Sequence, residues 1–97
     1  ALKDTVTCAT STLPVTGCFV FVGFKPNTVL VTQHFAHDPS GYMITDDRMM
    51  TSIPGLFAAG DVRVQLTRQV TTAVGDATTA TIAVEKFLAE RKAAAVA

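Results

Sequence analysis

Charge of one sign, cysteine and long apolar runs are all scarce in this 97-residue chain, and each shortage removes a class of function. Eight basic residues balance eight acidic ones, so the formal net charge is zero and the isoelectric point lies near 6.9. That excludes a strongly basic nucleic-acid binder driven by phosphate neutralisation, and equally an acidic disordered tail. No stretch approaches the roughly 18 apolar residues of a membrane span, because Gly23, Lys25 and Pro26 end the greasiest run. The first residues show neither a basic leader nor a long apolar block. No targeting segment is therefore expected, and the expected setting is cytoplasmic and away from membranes. Cys8 and Cys18 are too few for a disulfide scaffold, and their separation fits neither a C-x-x-C dithiol nor a zinc-ligand pair. Two free thiols in a reducing compartment is the simpler reading; a bridge between neighbouring strands is the alternative.

What is present is apolar. Hydrophobic residues make up 48% of the chain and charged residues only 16%, with a mean hydropathy of +0.35, which is greasy for so short a soluble protein. A chain of this size buries roughly 60–70% of its unfolded surface, enough for one small domain at most. The first seventeen residues are rich in threonine and valine (Thr5, Val6, Thr7, Thr10, Thr12, Val15, Thr16). β-Branching restricts χ1 and favours strands, so a hairpin or meander is expected, punctuated by Leu13-Pro14 and Gly17. Cys18-Phe19-Val20-Phe21-Val22 is apolar at every position and reads as a strand needing cover on both faces. Pro26 and Asn27 break the chain, Val29–Phe35 is ambiguous between helix and strand, and 37–41 is a turn cluster. Tyr42–Thr45 and Leu56–Ala59 read as further short strands, the second one buried.

From about Arg68 to Lys92 there is no proline, and alanine and leucine accumulate. Ala73, Ala77, Ala80, Val84, Phe87 and Leu88 recur at helical steps and predict one apolar stripe. Gly75 and threonines 78, 79 and 81 weaken the intrinsic propensity, so this helix needs packing to hold it.

The stretch with chemical content runs from Thr51 to Arg63 and on to Arg68-Gln69-Val70. A buried strand leaves through Gly60, where the backbone can approach something closely, and Asp61 follows with a carboxylate able to accept from sugar or ribityl hydroxyls. Beyond them a long helix begins, and its first N–H groups lack intrahelical partners and suit an anionic ligand oxygen. The competing reading is an ordinary strand-ending turn, since Gly-Asp dipeptides are common. Other candidates are thinner. His34, His37 and Asp38 suggest a metal only weakly against solvated loop histidines. Arg48 and Arg63 fit surface or ion-pair roles better than phosphate binding. Met49-Met50 fits packing.

Gly23-Phe-Lys-Pro-Asn-Thr28, Gly41-Tyr42, Thr51-Ser-Ile-Pro-Gly55, Phe57-Ala-Ala-Gly-Asp-Val-Arg63, Arg68-Gln69 and Glu85-Lys-Phe-Leu88 resemble the C-terminal portion of low-molecular-weight thioredoxin reductases, within the pyridine nucleotide-disulfide oxidoreductases. The resemblance covers nearly the whole chain in order and spacing. It implies an α/β fold of mostly antiparallel short strands plus one long C-terminal helix, part of an FAD/NAD(P)-binding Rossmann-like flavoprotein fold. Residues 1–24 would end an NADPH-binding domain, and residues 25–97 would form the C-terminal part of an FAD-binding domain. The family pattern places Gly60, Asp61 and Val62 at the flavin, with Asp61 on the ribityl chain. Arg68, Gln69 and Val70 fall against the isoalloxazine, with Val70 where alanine is more usual. Ala77 and Thr78 depart from the more usual Gly-Ala and add bulk.

The chain has no G-x-G-x-x-G for either nucleotide and no Cys-x-x-Cys. Hydride transfer from NADPH to flavin and on to a dithiol needs all three, so this chain alone is not expected to reduce thioredoxin. The expectation is an FAD-binding segment completed by a missing N-terminal half or another chain. The parent would serve thioredoxin as a homodimer and use NADPH. The rival is a non-catalytic interaction or oligomerisation module presenting the apolar run at 18–22.

Overall fold

The computed structural model describes residues 1–96. Threonine-rich sequence at the N-terminus forms the expected hairpin: β1 (Leu2–Lys3) pairs antiparallel with β2 (Thr10–Ser11), Leu2 opposite Ser11 and Lys3 opposite Thr10. Asp4 builds the connection. Its Oδ1 accepts from the N–H groups of Val6 (2.9 Å) and Thr7 (2.7 Å), while its own N–H donates to the Ala9 carbonyl at 2.9 Å. The backbone bond from Thr7, then that from Val6, then the Thr7 hydroxyl hold the Asp4 carboxyl below its ordinary value. Cys8 and Cys18 are both free and exposed.

Cys18–Val22, expected to be a strand, forms none. Phe19 is 97% exposed and Val22 92%, and the stretch runs as an extended arm. The reason is local to sheet physics. A strand exists only where another edge accepts its N–H and C=O groups, and no described segment pairs with this one. Phe21 and Phe24 meet edge to face at 6.1 Å, which is the arm's own modest packing.

Order begins at Pro26 and Thr28, both buried. Val29–Phe35, ambiguous in sequence, is a run of turns closed by bonds such as Val31 N–H to Thr28 O and His34 N–H to Val31 O. Tyr42–Thr45 is reduced to a bridge residue, Met43. It pairs antiparallel with His37 and parallel with Arg63. Leu56–Ala59 is likewise corrected from a strand to a single antiparallel bridge, Phe57 to Met50, and only Ala58 within it is buried. Segments this short cannot extend a ladder, because each is bounded by a turn that uses up its backbone groups. Asp46, for instance, accepts from Arg48 and Met50 N–H through its side chain. Phe35, Met43 and Ala58 form the core, with Ile53 and Val62 packed beside them.

One long helix, α1 (Val70–Val96), closes the chain. Its inward face differs from the predicted stripe. Ala73, Asp76, Ala80, Ala83, Val84 and Phe87 are buried or half-buried, whereas Ala77 and Leu88 are exposed. The helix docks on the loops beneath it through Phe87, which meets Phe57 edge to face at 5.9 Å; within the helix Arg91 lies over the Phe87 ring at 5.8 Å. Gly55 has φ +90°, and a Cβ there would stand 3.1 Å from the Phe87 ring, so this turn admits the ring only because it carries no side chain.

Candidate functional site

Gly60–Val62 forms a 3-10 turn immediately after the Phe57 bridge, and this turn carries the acidic candidate. Asp61 was expected at the end of a buried strand; it sits in the middle of the turn, with its side chain exposed. Gly60 has φ +78°, and a Cβ on it would lie 3.3 Å from the Ala73 Cβ. The close approach foreseen at Gly60 is therefore to the first turns of α1.

The turn is tied at both polar ends of one residue. Gly60 N–H donates to Asp76 Oδ2 at 3.0 Å, and Gly60 O accepts from Gln65 Nε2 at 2.8 Å and from Arg63 N–H at 3.2 Å. Asp76 Oδ2 also accepts from Arg63 Nη1 at 3.0 Å, forming an ion pair whose side chains are 14% (Arg63) and 12% (Asp76) exposed. Arg63 Nε continues the network to Thr45 Oγ1 at 3.0 Å. Asp76, Gln65 and Thr45 carried no sign of this in the sequence. Asp76 and Thr45 stand far from Gly60 and Arg63 along the chain, and Gln65, only five residues from Gly60, belongs to no motif that singles it out.

Arg68 lies flat on aromatic carbon, its guanidinium 4.0 Å from the Tyr42 ring centroid and 6.0 Å from that of Phe24. Its Nε is buried with no hydrogen-bond partner among the described residues. A donor in that state is costly unless something accepts from it. Next to it α1 begins. Ala73 N–H to Gln69 O (3.0 Å) is the first bond of helical span there, which leaves the N–H groups of Val70, Thr71 and Thr72 without intrahelical acceptors. Gln69 N–H is engaged by Thr72 Oγ1 at 3.1 Å, a contact a stronger acceptor can replace.

These pieces converge. A cavity of about 450 Å³ is lined by Asp61, Arg68, Gln69, Val70, Ala73, Val74 and Ala77. A second cavity, of about 230 Å³, shares Asp61 and Arg68 and adds Phe24, Asn27, Tyr42 and Val62. Five of the six candidates therefore line one or both spaces, and the sixth, Gly60, supports them from beneath. Ala77 faces the larger cavity, so its added methyl narrows that space rather than the packing of α1 on the turn. Two other candidates part from it. Arg63 is consumed by its ion pair, and Arg48 is exposed beside Glu90 at 3.6 Å. Among the described residues no three His, Cys, Asp or Glu side chains come together, and His37 instead places Nδ1 2.8 Å from the Asp38 carbonyl.

Known proteins resemble the chain along most of its length. The pyridine nucleotide-disulphide oxidoreductase family matches residues 1–77. Thioredoxin reductase from Listeria innocua is 42% identical over 93 residues, which is 96% of this chain and 29% of that protein. Thioredoxin reductase from Peptoclostridium litorale is 46% identical over 74 residues, 76% of this chain and 24% of that protein. The crystal structure of thioredoxin reductase from Streptococcus pyogenes superposes with a TM-score of 0.78 at 42% identity, covering 91% of this chain and 29% of that one. The α/β arrangement of short antiparallel pairings and one long helix is thus the one found in thioredoxin reductase structures. The chain spans about a quarter of the length of these relatives. Matched over residues 1–77, the chain belongs to the pyridine nucleotide-disulphide oxidoreductase family, as a thioredoxin-reductase-like segment.

Proposed function

We propose that this chain is the FAD-binding segment of a thioredoxin-reductase-like flavoprotein disulfide oxidoreductase and is not catalytically competent by itself. The observation that carries the reading is the larger cavity, where an exposed carboxylate, a stacked arginine and the open start of a long helix meet around small side chains. The residues fit a flavin. Asp61 offers an acceptor for ribityl hydroxyls, and Val70 N–H, with Gln69 N–H once released from Thr72, offers donors for a ring carbonyl edge. Arg68 brings a buried Nε that lacks an acceptor, Val62 lines the smaller cavity, and Gly60 belongs to the turn that carries Asp61. Bound flavin would supply the capacity to pass hydride and electrons between a nicotinamide and a disulfide. The chain's own contribution is to hold the cofactor: it has no Cys-x-x-Cys and no glycine-rich nucleotide turn.

On this reading residues 1–24 end an NADPH-binding domain, and residues 25–97 are the C-terminal part of an FAD-binding domain. The exposed apolar arm at 18–22 supports that division, because it is surface the rest of such a protein would cover. NADPH as donor, thioredoxin as the disulfide substrate, a homodimer and a cytoplasmic setting complete the proposal. Among the described residues no helix is long and apolar enough to cross a membrane. The same arm favours a second reading, a stand-alone module that uses Phe19–Val22 to recruit another chain.

The test is a chimera in which this chain replaces the matching segment of the Listeria innocua thioredoxin reductase. The chimera should purify yellow with FAD bound. Asp61→Ala should weaken retention by about 10- to 100-fold, equivalent to roughly 1–3 kcal/mol for a ribityl hydroxyl that loses its acceptor. A folded but colourless chimera, or an Asp61→Ala variant with unchanged flavin content, would reject the assignment.

A further inference from the structure

We propose that Asp76 is a positioning residue for the Asp61-bearing turn, locking that turn to the helix that lines the opposite wall of the cavity. The role of Asp61 in this inference rests on the flavin-binding reading above; the lock itself does not. Asp76 projects from the inward face of α1, the element that also supplies Val70, Ala73, Val74 and Ala77 to the cavity. A carboxylate only 12% exposed is expensive unless paired and hydrogen-bonded, and here a single oxygen takes both Gly60 N–H and Arg63 Nη1 at 3.0 Å. Helix docking does not require that charge, since Ala73, Ala83 and Phe87 already pack α1 onto the loops. What the charge adds is direction. With Gly60 N–H held from α1 and Gly60 O held by Gln65, the peptide planes on both sides of Gly60 are tied. Asp61, the next residue, is thereby held where it lines one cavity with the helix start. Arg63, anchored to Thr45, keeps the Asp76 oxygen in place from the other side. Both walls of the cavity therefore move together or not at all.

The experiment is amide hydrogen exchange followed by NMR on the full 97-residue chain, comparing the native sequence with Asp76→Ala and Asp76→Asn. Asp76→Ala should speed exchange at Gly60 by at least about tenfold while amides at 83–87 keep their protection. Asp76→Asn retains an acceptor for Gly60 N–H and should restore protection to within about threefold. Unchanged Gly60 exchange in Asp76→Ala overturns the proposal, as does equal loss of protection along α1, which would mark Asp76 as a helix anchor only. In the chimera, Asp61→Ala and Asp76→Ala should be non-additive for flavin release, because the second acts through the first. Additive effects there overturn the positioning role. A colourless chimera alongside the expected exchange pattern removes the flavin reading and leaves the lock standing.

Discussion

Gly60 meets three demands at one position: a left-handed φ of +78°, contact with Ala73 on α1, and a backbone N–H and C=O both held by side chains. Gly60→Ala should therefore lower unfolding stability by about 1–3 kcal/mol in urea titration, combining the left-handed penalty for a Cβ with overpacking against Ala73. Asp61→Ala, at an exposed side chain one residue later, should move the same midpoint by less than about 0.5 kcal/mol. If Asp61→Ala proves as costly as Gly60→Ala, the separation between supporting and ligand-facing residues fails. That separation was only half legible in the sequence. Gly60-Asp61 stood out as a glycine followed by an acid, and the need for close approach was plain. What it approached was not, because Ala73 and Asp76 reach the turn through the tertiary fold.

At the level of elements, the helix was legible and its orientation was not. The absence of proline from about residue 68 onward and the run of alanines predicted α1, which begins at Val70, two residues past the expected start. Alanine spacing alone does not choose between overlapping stripes: Ala73, Ala80, Val84 and Phe87 face inward as the stripe predicts, Ala77 and Leu88 do not, and Asp76 and Ala83 join the packed face. The N-terminal hairpin was expected too, but of its β-branched residues only Thr10 lies in a strand, while Thr5, Val6 and Thr7 form the turn. Its turn depends on a charge. Asp4 is held below its ordinary value of 3.8 by hydrogen bonds from Thr7 and Val6, so the unfolded segment binds protons more readily than the folded one. The stabilisation is fully present above the ordinary value and is lost as pH falls through the lowered one. In an NMR titration from about pH 6 to about pH 2, the Val6 and Thr7 amide signals should move together toward random-coil positions at the acid end, while α1 amides stay put. Invariant Val6 and Thr7 signals would show that the carboxylate does not hold this turn.

Across the whole molecule the chain is long and thin, 74 × 27 × 19 Å with a radius of gyration of 20.7 Å, against about 13 Å for a compact domain of this size. The core comprises Phe35, Met43 and Ala58 with two neighbours, while Phe19, Val20, Phe21 and Val22 stand in solvent. Exposed apolar runs without proline are association surfaces. In sedimentation velocity, replacing Phe19 and Phe21 together by lysine should therefore raise the monomer fraction several-fold without altering the helical signal of α1. An unchanged distribution would show that the arm does not drive association. The size of this uncovered surface also explains why the strand expected at 18–22 is missing: its hydrophobicity was written in the sequence, but its partner was not.

The sequence by itself determined the local preferences: a hairpin turned by Asp4 and the residues after it, a glycine where the backbone turns, an acid beside it, and a long proline-free helix. Those follow from side-chain sterics and backbone geometry, which act over a few residues. Only the tertiary structure decided that Gly60 serves α1, that Arg63 is spent on Asp76, and that Arg68 lies on Tyr42 with Nε unpartnered. These contacts join residues distant in sequence. Their strength comes from burial, which lowers the local dielectric and leaves each polar atom to find a partner within the fold.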